Sequence, residues 1–244
     1  MMKRITLAIL MLVVSGFAFE WGIYGGPGTS MTFTNMKPLH SDLSADYDIS
    51  TIPSFQIGIA TPVVLRLWNF TLGGGDSYSW QTASGNDYKT FLHHRIDMFE
   101  LGYVVDLGDN LRLRPVVGIG DYDIDLRISE LKGGFGEPDD GDSDSRQYEY
   151  DNTSFVAGAS LAYIWKFENR VVVGIEAKAR YLVPLEQNVP WEPDDRSYPD
   201  VYVDGFYPHT PVVGVNFLIG YEKLEEDRDD EWGEELEDDG WEED

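Results

Sequence analysis

Eight strand-like segments, joined by connections that alternate in length, occupy residues 19–221. We predict strands near residues 19–33, 52–60, 64–72, 91–107, 111–127, 153–166, 170–183 and 210–221. Short turns at 61–63, 108–110 and 167–169 alternate with long acidic loops at 34–51, 73–90, 128–152 and 184–209. This rhythm predicts an all-β protein, an antiparallel up-and-down eight-stranded transmembrane β-barrel with turns at one end and loops at the other.

The apolar residues of each segment fall on alternate positions, so they share one face of the predicted sheet. In the central hairpin, Phe99 and Leu101 face one side while Glu100 and Gly102 face the other. A soluble barrel turns its apolar face inward, whereas a membrane barrel turns it outward. The apolar face runs about nine residues in each strand, which matches a tilted strand that crosses a bilayer.

Two further features favour the membrane arrangement. Glycine is frequent on the polar face, which suits a narrow lumen; these positions are Gly22, Gly58, Gly102, Gly118, Gly158, Gly174 and Gly214. Aromatic residues gather on the apolar face near the turns, as in an interfacial girdle; they are Phe19, Trp21, Tyr163, Trp165 and Tyr221. Beyond the apolar band the pattern reverses, with Asp121 outward and Tyr122 inward. Either the wall rises out of the lipid into water, or a bulge flips the phase.

The two ends of the chain differ from the predicted barrel. Residues 1–18 are typical of a signal peptide, with Lys3 and Arg4 before an apolar run and a small-x-small site ending at Ala18. That run of about ten apolar residues is too short to cross about 30 Å of hydrocarbon. Residues 222–244 hold 15 acids against two bases, so we predict a disordered acidic tail.

Composition excludes several classes of function. The formal net charge of −26 argues against nucleic acid as a partner, because phosphate binding needs a basic surface. The chain has no cysteine, which excludes disulfides and thiol chemistry. No other stretch reaches 18 apolar residues, so spanning by a helix is excluded.

The closing strand, Gly214-Val215-Asn216-Phe217-Leu218-Ile219-Gly220-Tyr221, resembles the C-terminal insertion signal of small outer-membrane β-barrels of Gram-negative bacteria, the OmpA/OmpX-like class. The resemblance covers residues 19–221. It implies an outer-membrane protein with extracellular loops and periplasmic termini. It also implies contact with membrane lipid, lipopolysaccharide and the barrel assembly machinery. The acidic residues after Tyr221 depart from the usual pattern, in which the chain ends at its last aromatic residue.

The predicted lumen is rich in charge and is the strongest candidate for function. The inward positions carry more bases than acids: Glu20, Arg66, Glu100, Asp106, Arg112, Arg114, Lys166, Arg170, Glu176, Lys178 and Arg180. One interpretation is a narrow anion path. The other is a plugged barrel whose inward charges pair with one another, as an interior too small for bulk water requires.

The loop side offers two weaker candidate sites. Five inward residues predict an apolar pocket for a hydrophobic molecule, or a core that caps the barrel: Ile96, Met98, Tyr122, Ile124 and Leu126. In the third loop Asp140, Asp142, Asp144 and Asp151 have spacings that can place oxygens around Ca²⁺. Ser145 replaces the glycine usual at the sixth position, so a solvated acidic loop is the alternative. We expect no other cofactor.

Histidines near the loop ends of strands allow a lipid-modifying enzyme as a further hypothesis. His93, His94 and His209 have Ser77, Ser79 and Asp97 as conceivable partners, but no motif fixes their spacing. We therefore expect a monomeric, non-enzymatic protein with a structural or surface-interaction role in the envelope. A narrow channel or solute carrier and a lipid-modifying enzyme are the alternatives.

Overall fold

The structure, a computed structural model, describes residues 20–46, 52–85, 87–130, 145–197 and 199–223. The predicted signal peptide, the tail beyond Lys223 and three of the predicted calcium ligands, Asp140, Asp142 and Asp144, lie outside these residues. The strands are β1 (Trp21–Gly25), β2 (Gly28–Phe33), β3 (Phe55–Leu67), β4 (Phe70–Ser84), β5 (Tyr88–Tyr103), β6 (Val105–Asp106), β7 (Leu111–Glu130), β8 (Ser145–Lys166), β9 (Val171–Pro184), β10 (Glu192–Pro193) and β11 (Thr210–Lys223). One helix, α1 (Lys37–Asp46), joins β2 to β3.

The strands form a closed antiparallel ring of eight, which confirms the predicted barrel. β1 with β2, and β5 with β6, each act as one interrupted barrel strand. β10 is a short addition to the loop-side end of β8. No helix among the described residues has the length and apolar character needed to cross a membrane.

Prolines explain both interruptions, because a proline has no N–H to donate to the ladder. Gly26-Pro27 separates β1 from β2, yet both pair with β3 and β11 in one unbroken register. β5 and β6 also share one register on β7, and Tyr103 and Val104, which are not paired with β7, lie opposite Arg114-Pro115. The missing hydrogen bonds therefore leave the barrel topology unchanged.

The register fixes the tilt of the strands. A line of directly paired residues starts at Gly22 and returns to the first barrel strand at Thr32, ten residues further along. It passes through Arg66, Thr71, Gly102, Val116, Gly158, Arg180 and Val212. A stagger of ten residues over eight strands corresponds to a tilt of about 40°.

The faces of the wall have the predicted polarity. Outward apolar side chains such as Phe99, Val117 and Ile119 are exposed, while Arg112 and Arg180 are buried inside. Turn-side aromatic residues also pack on the outer surface, including Trp21 with Tyr221, whose ring centroids lie 5.5 Å apart. An exposed apolar belt around a charged interior is the surface of a membrane-spanning barrel.

The wall continues beyond this belt without a change of phase. The β5–β7 ladder runs in single steps from Gly102↔Val116 to Tyr88↔Glu130. Tyr122 and Ile124 are fully buried, and Asp121 lies on the outer surface. A bulge is therefore not the reason for the reversed polarity; the wall rises past the apolar belt and encloses a core of its own.

Two predicted connections on the second and third barrel strands are wrong. Residues 61–63 lie inside β3, and the turn is formed by Trp68 and Asn69. Pro62 fits in the strand because it lies opposite the gap at Gly26-Pro27, where no ladder bond is made. The predicted loop at 73–90 is mostly β4 and β5, and residues 85–87 connect them.

Helix α1 and the folded loop after β9 were not predicted. Asn35 precedes the helix and its side-chain oxygen accepts a 3.3 Å hydrogen bond from the Lys37 N–H, as a capping residue does. Trp191 and Val201 form an antiparallel bridge within residues 185–209. Both segments supply buried side chains to the loop-side core, described below.

Candidate functional site: the charged lumen

The turn-side half of the lumen is organised around Glu222. Arg66 Nη1 donates to Glu222 Oε1 at 2.7 Å, and Arg112 Nη2 donates to Glu222 Oε2 at 2.9 Å. All three side chains are buried. The two guanidinium groups come from β3 and β7, so one carboxylate of β11 links three strands across the lumen. Charge-assisted bonds of this kind are stronger than neutral ones.

Further groups complete this turn-side cluster. Arg112 Nε donates to Asp106 Oδ1 at 2.9 Å, and Arg112 Nη1 donates to the Tyr24 hydroxyl at 3.2 Å. Arg66 Nη2 lies 3.4 Å from Asp106 Oδ2 and 3.8 Å from Glu20 Oε2. Each arginine therefore has several acceptors in reach, as a buried guanidinium requires.

A second cluster fills the lumen nearer the loops. Arg180 forms a bidentate pair with Glu100, in which Nη2 lies 3.0 Å from Oε2 and Nε pairs with Oε1. Arg114 Nη2 donates to Glu176 Oε1 at 2.8 Å, and the Asn216 amide donates to Glu176 Oε2 at 2.7 Å. The two arginine bonds cross the lumen from β9 to β5 and β7, and Asn216 binds Glu176 from the neighbouring strand β11. The arginine bonds therefore link strands that are not adjacent in the sheet.

The space left in the lumen is small. One cavity of about 40 Å³ lies beside Arg112 and Arg114, and another of about 20 Å³ lies beside Lys178, which is also buried. Spaces of this size hold one or two waters. A larger groove, of about 470 Å³, lies on the apolar outer wall near Gly102 and Pro115. In the described chain, charged side chains thus occupy the lumen within the apolar belt.

The buried lumen bases and the acids that pair with them are equal in number. They are five bases and five acids: Arg66, Arg112, Arg114, Lys178, Arg180, Glu20, Glu100, Asp106, Glu176 and Glu222. The other two bases predicted for the lumen lie at its turn-side end, Lys166 exposed at the end of β8 and Arg170 in the β8–β9 turn. Glu222, which was not predicted for the lumen, reduces the predicted excess of bases because it pairs with Arg66 and Arg112.

Sequence reasoning missed Glu222 because it begins a run of acids and was assigned to the tail. The strand alternation continues for two more residues, however, and β11 ends at Lys223. On the inward phase of Asn216, Leu218 and Gly220, position 222 also points into the lumen. That phase was the signal that could have identified it.

The loop-side lumen is an apolar core. Ile96, Tyr122, Ile124 and Leu126 are buried there, with Met98 packed against them. Met36 and Leu39 from the α1 region and Trp191 and Phe206 from the β9–β11 loop complete the core. The residues predicted to line a pocket are therefore brought together, but other parts of the chain cover them, and they form a cap.

The structure brings two of the candidate catalytic residues together, Ser79 and His94, and separates the others. His94 is buried in the cap, where its Nδ1 lies 2.9 Å from the Tyr122 hydroxyl. Ser77 is buried and its hydroxyl lies 2.5 Å from the hydroxyl of Ser30. His93 is on the outer wall, 3.2 Å from Asp125 Oδ2. Ser79 pairs with His94 across the β4–β5 ladder, but both are sealed from solvent, so this pair has no route to a substrate.

The remaining predicted residues are on the outer surface. His209 packs edge-on to Tyr207, with ring centroids 4.6 Å apart, and Asp97 pairs with Arg95. Asp151, the one calcium candidate among the described residues, is exposed on β8 opposite Asp123 of β7. In the described chain, no group of three or more histidine, aspartate or glutamate side chains has the geometry of a metal site.

Carboxylates dominate the part of the β5, β7 and β8 wall that rises beyond the apolar belt. We call this surface the acidic wall; its acids are Asp97, Asp121, Asp123, Asp125, Glu149 and Asp151. Arg95, Arg127 and, nearer the loops, Lys89 are the bases on the same face of the described strands. The acids lie in rows along neighbouring strands, so the surface repels anions and attracts cations diffusely.

The barrel is similar to several solved structures. It aligns with Ail, the attachment invasion locus protein of Yersinia pestis, at 12% identity and a TM-score of 0.43, over 84% of this chain and 99% of that one. It aligns with a major outer membrane protein from Thermus thermophilus at 9% identity and a TM-score of 0.49, over 83% and 99% of the two chains. It aligns with the outer membrane protein OprG from Pseudomonas aeruginosa at 10% identity and a TM-score of 0.40, over 84% of this chain and 96% of that one.

Likeness of this degree carries no role from those proteins to the present chain. No protein-family model matches the sequence, and none of the curated proteins matches it.

Proposed function

We propose that this protein is a closed, monomeric β-barrel of the outer membrane, whose role is structural and whose loop-side surface engages the outer leaflet. In this proposal the loops are extracellular and the termini are periplasmic. The barrel crosses the lipid with its apolar belt, after delivery by the signal peptide and insertion by the barrel assembly machinery. Its partners are membrane lipid and lipopolysaccharide.

The filled lumen carries the proposal. Within the belt, two charge clusters link non-adjacent strands across the lumen, and the cavities beside them measure about 40 and 20 Å³. Beyond the belt, an apolar core blocks the way to the loop side. A solute would have to break several buried ion pairs, and breaking one such pair costs about 3–5 kcal/mol. These observations support a barrel that stabilises the membrane rather than one that passes solutes.

The acidic wall supports the choice of lipopolysaccharide as the surface partner. Lipopolysaccharide headgroups are anionic, so direct contact with this wall is repulsive, but divalent cations attracted to both surfaces can bridge them. The described residues contain no group of side chains that could coordinate a cation together. The proposed bridging is therefore diffuse, and each carboxylate attracts the cations only weakly. The acids lie just beyond the belt, at the level where headgroups are found.

The experiment is Mg²⁺-dependent co-sedimentation of the reconstituted protein with lipopolysaccharide vesicles. The test variant is Asp121→Asn/Asp125→Asn, and the matched control, Asp109→Asn/Glu168→Gln, removes two charges from the turn end. We expect the test variant to need about fivefold more Mg²⁺ for half-maximal binding, because each exposed charge contributes about 0.5 kcal/mol to the binding free energy. The control variant should bind like the parent protein. Equal behaviour of all three proteins would contradict the surface role. The channel alternative is decided by the conductance of the protein in a planar bilayer.

A further inference from the structure

The loop-side rim of the barrel has two chemically different halves. Four large apolar side chains point outward near the loops on β2, β3 and β4, where Asp76 and Thr82 of β4 also point outward. Phe33 is 39% exposed, Phe55 52%, Ile57 60% and Trp80 55%. Phe33 pairs directly with Phe55, so these residues form one continuous patch, which we call the apolar rim. The other half of the rim is the acidic wall.

The apolar rim and the acidic wall lie at the same height. Because of the stagger, the line of directly paired residues rises towards the loops by ten residues per circuit of eight strands. From Arg66 on β3 to Val116 on β7, which is three strands further, it rises by roughly four residues. Ile57 is nine residues beyond Arg66 towards the loops, and Asp121 is five beyond Val116. The rise of the line compensates for this difference of four residues, so Ile57 and Asp121 lie at the same height along the barrel axis. By the same count Phe55 is level with Asp123.

The turn-side edge of the apolar belt also differs in height between the two sides of the barrel. Trp68 on the β3 side is two residues beyond Arg66 towards the turns, and Phe167 after β8 is nine beyond Gly158. The rise of the line over the four steps from β3 to β8 is roughly five residues, so Phe167 lies about two residues lower than Trp68. Phe167 is 55% exposed. The belt therefore extends towards the loops on one side and towards the turns on the other.

We infer that the acyl chains of the outer leaflet cover the apolar rim, and that the barrel is tilted in the membrane towards its β2–β4 side. The apolar rim is continuous with the belt on β3 through Ile59, so lipid that covers the belt there extends onto the rim. A charged side chain is costly in hydrocarbon, which keeps the acidic wall out of the lipid on the other side.

The offsets set the size of the tilt. One residue along a strand tilted by about 40° rises about 2.5 Å, so the belt edges differ by about 5–10 Å between the two sides. Across a barrel about 25 Å wide with its side chains, this corresponds to a tilt of about 15°. The tilt lowers the apolar rim into the acyl chains and lifts the acidic wall into the headgroup layer.

The absence of cysteine makes the test direct, because single cysteines can carry a nitroxide label. The labelled variants are Ile57→Cys and Asp121→Cys, with Val117→Cys as the belt reference. Each is reconstituted as the full chain in phosphatidylcholine–phosphatidylglycerol vesicles, and its accessibility to oxygen and to a water-soluble nickel chelate is measured. All three positions are on the outer face, and folding is checked by heat-modifiable gel mobility.

We expect the label at Ile57 to behave like that at Val117, with oxygen access at least about fivefold above chelate access. The label at Asp121 is expected to show the reverse preference. Matched preference at Ile57 and Asp121 would mean an upright barrel and would overturn the inference. Shielding of the Ile57 label from both reagents would mean that a second copy covers the rim, and would overturn it equally. Trp80→Cys and Asp123→Cys repeat the comparison at the next level.

Discussion

Arg66 and Glu222 join β3 to β11 across the lumen, 156 residues apart in sequence, through a 2.7 Å bond between Nη1 and Oε1. Arg112 holds the other oxygen of the same carboxylate. The end of the last barrel strand is thus tied to the second and fifth barrel strands. One acid that two arginines share links three strands at the turn end of the barrel.

Removal of this charge should destabilise the barrel. Glu222→Gln keeps the size of the side chain but leaves two buried guanidinium groups with fewer acids, and we expect a loss of about 3 kcal/mol in the free energy of unfolding. Urea unfolding in lipid vesicles, followed by tryptophan fluorescence, measures it. Glu186→Gln, at an exposed loop position, is the control. Indistinguishable midpoints for the two variants would remove Glu222 from its role in linking these strands.

The bidentate pair of Arg180 and Glu100 should act as a unit. Either Arg180→Met or Glu100→Met leaves an unpaired buried charge and is expected to cost about 3–5 kcal/mol. The double variant Arg180→Met/Glu100→Met buries no charge at this place and should cost much less than the sum of the singles. A double-mutant cycle of unfolding free energies gives the coupling. A coupling near zero would show that the pair does not hold β5 to β9.

The parts of the fold that the sequence predicts are those with a clear alternation of apolar and polar residues. Alternation of apolar with polar residues placed Arg112, Lys178 and Arg180 inside and identified the lipid-facing side, because neighbouring residues of a strand face opposite ways. The same alternation disappears in β4 near the loops, where Ser77 and Ser79 point inward and Asp76 and Thr82 point outward, so that both faces carry polar residues. The pattern of this segment therefore predicts a loop.

The missed features depend on contacts between distant segments. Pro62 is a turn signal locally, and only the gap at Gly26-Pro27 on the neighbouring strand makes it tolerable inside β3. The cap depends on Met36 and Trp191, which are far apart in the chain and belong to no amphipathic pattern. The charge balance of the lumen depended on assigning Glu222 to the strand rather than to the tail.

Glycines in the inward phase allow close approach of neighbouring backbones. A Cβ at Gly158 would lie 2.2 Å from the carbonyl oxygen of Ala179, whereas at Gly25 it would lie no closer than 3.4 Å to its nearest neighbour, the carbonyl oxygen of Pro62. We therefore expect Gly158→Ala to cost about 1–3 kcal/mol in unfolding free energy and Gly25→Ala to cost less than about 1. Equal midpoints for the two variants in urea would contradict the close approach at Gly158.

Stability should depend on pH through the acidic wall, outside the lipid belt. Partial burial and the facing Asp151 raise the pKa of Asp123 to about 7, against the opposing effect of Arg95. Between the ordinary pKa of about 4 and this raised value, the folded state binds more protons than the unfolded state, so stability falls as pH rises. The group is partly exposed, so we expect a loss on the order of 1 kcal/mol from pH 5 to pH 8.

The variant Asp123→Asn checks this assignment. It removes the titrating group while Asp121, Asp125, Asp97 and Asp151 stay in place. Unfolding midpoints at pH 5 and pH 8 should differ less in the variant than in the parent. A parent protein whose stability rises with pH over this window would show that the facing carboxylates do not repel each other.

The central claim is a lumen sealed by paired charges, and current through a planar bilayer tests it most directly. The full chain should give no stable current steps above the bare membrane in potassium chloride at either polarity. The variant Arg114→Ala/Glu176→Ala, which empties the middle of the lumen, serves as the comparison for small leaks. Reproducible steps of uniform size from the parent protein, retained after purification and abolished by its thermal unfolding, would contradict the sealed barrel.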